Sequence, residues 1–148
     1  MVRNGEYGLA SAGLQVWHNG AGGENQHEDG CVTRDEFDSY CQNLPAVSNV
    51  VQWGNASVWK IGGKIFAICS HWGKGEDQKI SFKCSDLSYR ILCEQAHIVP
   101  APYLARAKWV QLTSEKAMID EDICAYIDEA YSIVSAKLTK AVRKELGI

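Results

Sequence analysis

From Thr33 onward the apolar positions recur with a regular period, which switches from helical to strand spacing and back. Thr33 followed three residues later by Glu36 forms a capping box, and Val32 and Phe37 can staple across it. Phe37, Tyr40, Cys41 and Leu44 then share a helical face until Pro45 stops the helix. Val50–Trp53 is a short β-branched run closed by Gly54–Asn55. SVWKIGGKIFAIC reads as a hairpin turning at Gly62–Gly63, with Trp59 opposite Phe66 and Ile61 and Ile68 on the same face. KISFKC alternates, placing Ile80, Phe82 and Cys84 on one face and Lys79, Ser81 and Lys83 on the other. HWGKGEDQ between these strands is a polar loop.

Ser85 or Asp86 caps a second helix with Leu87, Ile91 and Leu92 inward. Ile98–Leu112 holds two prolines and then Trp109, Val110 and Leu112, which predicts an extended segment, a turn and a final strand. Asp120 caps the last helix, and Glu121 and Asp122 suit its positive end. Ile119, Ile123, Ile127, Ala130, Tyr131, Val134 and Leu138 make its apolar stripe. Lys137, Lys140, Arg143 and Lys144 then sit near its C-terminus, where cations are favoured. The order α-β-β-β-β-α-β-α predicts an α+β fold, a two-layer sandwich with an antiparallel sheet and helices packed on one face.

Residues 1–31 look different. They hold seven of the thirteen glycines and no sustained period, so they are expected to be a flexible N-terminal extension. Residues 32–148 are left as one domain. Arg3 and Glu6 are followed by glycines and polar residues, which is no secretory signal, and no run of about 18 apolar residues marks a membrane span. The expected compartment is the cytoplasm, with no membrane partner.

Charge adds an asymmetry. The formal net charge is −3, yet residues 58–112 carry eight bases against four acids. A net-acidic chain of this kind can still present a basic face. In APYLARAKWVQL, Arg106 and Lys108 stand among Tyr103 and Trp109 with no acid. Trp109 lies in a strand pattern and belongs to the core, while Tyr103, after Pro102, is open to a surface role.

Specific chemistry is scarce. The six cysteines include no C-x-x-C pair, and the four histidines are scattered. Cys41, Cys69, Cys84 and Cys93 read as small buried hydrophobes. No nucleophile elbow, P-loop or H-E-x-x-H occurs. IGGK is a hairpin turn, since no helix start follows it. Asp120, Glu121 and Asp122 could attract a cation, but acids in a first helical turn need no metal to explain them. No catalytic residue, metal or cofactor is therefore expected, and an enzyme is not.

CQNLPAV, VWKIGGKIFAI, ISFKCS, IVPAPYLARAKWVQL and IDEAYSIVSAKL resemble the signature blocks of the MmcQ/YjbR family of small bacterial proteins, in order, from about Thr33 to Leu138. That family is similar in fold to secretion chaperones and loosely to frataxin. The resemblance implies a "double wing" DNA-binding protein that lays β-hairpin wings on nucleic acid. Family members begin near Thr33, so residues 1–31 are an addition to the pattern. On this reading Lys60, Lys64, Lys79, Lys83, Tyr103, Arg106 and Lys108 are the candidate contacts, with Lys74 at a loop tip. They would hold phosphates by charge, with Tyr103 able to stack on a base. Exposed strand lysines also simply protect edges and keep a protein soluble. The alternative function is a protein-interaction or chaperone-like adaptor that binds no nucleic acid. An exposed apolar patch would favour the adaptor, a continuous basic one nucleic acid.

Overall fold

A computed structural model describes residues 33–73 and 78–148. The expected extension, the staple residue Val32 and Lys74 lie outside the described residues. The elements are α1 (Arg34–Gln42), β1 (Val47–Gln52), β2 (Ala56–Ile61), β3 (Lys64–Ser70), β4 (Lys79–Lys83), α2 (Asp86–Leu92), β5 (Ile98–Pro100), β6 (Trp109–Leu112), α3 (Asp120–Ala136) and α4 (Lys140–Leu146). The fold is α+β, as the periodicity predicts. The six strands form one antiparallel sheet in the order β1-β2-β3-β4-β6-β5. Among the described residues no helix is long and apolar enough to cross a membrane.

The start of α1 follows from its cap. Thr33 Oγ1 accepts from the Glu36 amide at 3.2 Å, and the Glu36 carboxylate accepts from the Thr33 amide at 3.1 Å. The β2–β3 turn needs its glycines. Gly62 and Gly63 have φ of +60° and +83°, and a Cβ on Gly62 would stand 2.7 Å from Leu138 Cδ1. That contact seats the hairpin turn against the chain just after α3.

The helices lie on one face of the sheet. Phe37, Trp59, Ile61, Phe66, Phe82, Val110, Ile123 and Ile127 are buried together there. The opposite face has its own smaller cluster of Ala56, Val58, Ile68, Ala101 and Trp109. It is covered by irregular chain rather than by helices: Leu104 and Trp72 pack onto it. The Gln111 side-chain amide, buried on this face, donates to the Trp72 carbonyl at 3.0 Å and ties the segment after β3 to β6.

Several expectations are corrected. The hairpin keeps its expected register only to Lys60↔Ile65; a bulge then pairs Trp59 with Ala67. Phe66 is the extra residue, and the slip sends Ile68 to the helix-free face with Val58. Leu87 and Ile91 of α2 are 62% and 49% exposed, and only Leu92 of the three turns inward. Seven residues make fewer than two turns, too few to bury two sides. Ser85 is the cap of α2, accepting from the Ser88 amide at 3.1 Å. Ile119, exposed, is the N-cap of α3, and Asp120 is its first helical residue. Of the basic C-terminal run only Lys137 ends α3; Lys140, Arg143 and Lys144 belong to a separate helix, α4, capped by Thr139. Cys41, Cys69, Cys84 and also Cys124 are buried, while Cys93 is only half-buried.

Candidate nucleic-acid interface

The Gly62–Gly63 end of the sheet collects cations from separate stretches of chain. Lys64 is exposed as the first residue of β3, and Lys60, half-buried, pairs with Ile65 on the helix-free face. Lys83 follows Phe82, which pairs with Ala67, so it lies toward the same end. Its ammonium donates to the Ala107 carbonyl. Burial, and then the neighbouring Lys137 ammonium, hold the pKa of Lys83 below that of an ordinary lysine. Lys108 adds to the same effect, and Asp86 opposes it. Lys108 itself takes a left-handed backbone, φ +64°, at the end of the 3-10 turn Ala105–Ala107. Its ammonium lies 5.1 Å from the centre of the Tyr89 ring, a cation–π contact. Arg106 is exposed within the turn.

Lys60, Lys64, Arg106, Lys108 and Lys137 form no ion pair with a carboxylate among the described residues. Gathered cations repel one another, an arrangement that a bound polyanion relieves. Lys137 is the member that sequence reasoning missed. Its place at the end of α3 explained it as a partner of the helix dipole, and only the seating of Leu138 on the hairpin turn brings it to this cluster.

Lys79 does not belong there. It is 3% exposed and pairs with Ser70, toward the other end of β3 and β4. Alternation correctly put Lys79 and Lys83 on one face, but at Lys79 that face is covered. Tyr103 is 90% exposed and ends a chain of three aromatic rings. Trp72 is edge-on to Tyr103 with centroids 5.6 Å apart, and Trp53 lies tilted against Trp72 at 5.8 Å. With Ile65 and Leu104 these rings line an open cavity of about 450 Å³. One signal for Trp72 was present in the sequence: a large apolar residue inside an otherwise polar loop.

The same architecture recurs in solved structures. A Deinococcus radiodurans protein with a DUF419 domain is 26% identical, with a TM-score of 0.68 over 78% of this chain and 88% of its own. A Pseudomonas syringae protein is 16% identical, with a TM-score of 0.56 over 68% of this chain and 97% of its own, a likeness of fold. No curated protein matches the chain. The profile of the YjbR family matches residues 42–133, from the end of α1 into α3, and the chain belongs to that family.

Proposed function

We propose that this protein binds DNA, mainly by electrostatic contact between phosphates and the basic end of its sheet, and that it acts by binding rather than by catalysis. The observation that carries the reading is the meeting of Lys60 and Lys64, Lys83, Arg106 and Lys108, and Lys137 from four segments of chain. Flexible lysines of this kind hold phosphate oxygens without reading base sequence. Lys64 and Arg106, at turns, are the side chains freest to reach a backbone. The test is a titration of duplex DNA across salt with the wild type and the Lys64→Ala and Lys137→Ala variants. Absence of binding at about 50 mM salt, where non-specific contacts are strongest, would sink the proposal.

A second reading rests on a different observation. Leu87 and Ile91 lie one helical turn apart on α2, and both are exposed. Such a pair suits an adaptor that presents a small apolar surface to a partner chain. On that reading duplex binding is absent at low salt, and the Leu87→Ser, Ile91→Ser double variant loses a protein partner while keeping its thermal midpoint.

A further inference from the structure

The cavity on the helix-free face has features that core packing does not explain. Trp53 and Tyr103 both have left-handed backbones, with φ of +53° and +70°. Bulky side chains rarely sit there, and glycine or asparagine adopts the conformation at less cost. Strain of this kind is tolerated when burial compensates it. Yet Trp53 is half exposed and Tyr103 is almost wholly so. Two strained aromatics are thus held at the surface, and both line the same cavity.

The backbone that carries the third ring is tied down. Trp72 is anchored through its carbonyl by Gln111, and its amide donates to Ser70 Oγ at 3.3 Å. The rings form an apolar recess open to solvent, of a size that suits a ring-containing ligand. Its charge setting narrows the ligand. Lys60 is the cross-strand partner of Ile65, on the cavity's own face, and Arg106 lies two residues beyond Leu104. No acidic residue is placed on this face by the strand register among the described residues. An aromatic recess bounded by cations repels a quaternary ammonium, the usual guest of an aromatic cage. It favours a flat ring that carries an anion.

We propose that the recess of Trp53, Trp72 and Tyr103 takes an unpaired nucleobase of a single strand, with Lys60 and Arg106 meeting the flanking phosphates. This deepens the nucleic-acid reading above and rests on it. The walls are apolar, so the base is held by stacking on its face, which every base offers, and sequence preference is weak.

The test compares a short oligothymidylate of about 12 nucleotides with a duplex of the same length, using the full chain. Trp53→Asn and Tyr103→Asn remove a ring and relieve the backbone. Each should lower affinity for the single strand by roughly 5- to 100-fold and leave duplex binding within about twofold. Their thermal midpoints should stay level or rise, which a merely structural role for these rings does not predict. Single-strand affinity unchanged in both variants would overturn the proposal while leaving duplex binding standing. A wild type that binds neither single strand nor duplex overturns the broader reading, and this one with it. Should a variant fail to fold, the wild type decides: saturating oligothymidylate should quench indole fluorescence, and no quenching overturns the inference. Thymidine monophosphate that quenches as strongly as the oligomer at equal concentration also overturns the strand as ligand.

Discussion

The Tyr40 hydroxyl of α1 donates to Asp128 Oδ1 of α3 at 2.7 Å, linking residues from opposite ends of the domain. Burial raises the Asp128 pKa above the ordinary carboxylate value, and the Tyr40 hydrogen bond pulls it back down. Tyr40→Phe should therefore cost about 1–2 kcal/mol at neutral pH, since a partly buried carboxylate loses a donor. The sign with pH follows from linkage. A carboxyl whose folded pKa exceeds its unfolded value is better tolerated protonated, so stability falls as pH rises from the unfolded to the folded pKa. In Tyr40→Phe that fall should deepen and extend to higher pH, read by thermal unfolding from about pH 3 to pH 7.

The core offers a plainer test. Phe82 is fully buried and stacks on Tyr126 with centroids 5.4 Å apart, and Trp109 anchors the cluster on the opposite face. Truncating either to alanine should cost about 3–5 kcal/mol in denaturant unfolding. A cost near zero for Trp109→Ala would mean that the helix-free face is not a packed second core.

The elements themselves were legible because local chemistry and long-range packing agree. The Thr33–Glu36 box, the Gly62–Gly63 turn and the alternation of Ile80, Phe82 and Cys84 each need only a few neighbouring residues. What stayed hidden depends on contacts across the chain. The extra residue Phe66 carries no turn signal, so the slip that sends Ile68 to the other face leaves no mark in composition. The burial of Lys79 depends on what covers the second face, which strand alternation does not report. In the candidate site, Lys64 and Arg106 were readable as bases in turns, and Tyr103 as an open aromatic after proline. Lys137, Trp53 and Trp72 joined them only through tertiary contacts.

Thiol chemistry gives a third prediction. Burial pushes the Cys69 and Cys84 thiols up to about 12 and holds Cys41 well above its usual value. At pH 8 these groups carry almost no thiolate. Iodoacetamide at that pH should leave Cys41, Cys69, Cys84 and Cys124 unmodified until the domain unfolds, with half-buried Cys93 reacting first among the described cysteines. The same shifts set an alkaline limit. Below about pH 8 the thiols are protonated in both states and their contribution to stability is intact. Between about pH 8 and 12 the unfolded chain loses thiol protons that the folded one keeps, so stability should drop as pH rises. Cys69→Ala or Cys84→Ala should flatten that decline, seen as a smaller shift in the denaturant midpoint.

The salt dependence of duplex binding separates the open cations from the buried one. If three or four of Lys60, Lys64, Lys83, Arg106, Lys108 and Lys137 reach phosphates at once, log affinity against log salt should slope at about −3, near −0.9 per contact. Affinity for non-specific duplex should be about 10⁻⁴ to 10⁻⁶ M at physiological salt. Lys64→Ala or Arg106→Ala should reduce the slope by about 1 and weaken all sequences alike. Lys79→Ala should leave the slope unchanged, because that side chain is 3% exposed and does not reach the surface. It should instead lower the thermal midpoint, since the buried aliphatic stem is lost. A Lys79→Ala variant that loses slope as Lys64→Ala does would place the DNA on the covered end of the sheet and overturn the assignment of the interface to the Gly62–Gly63 end.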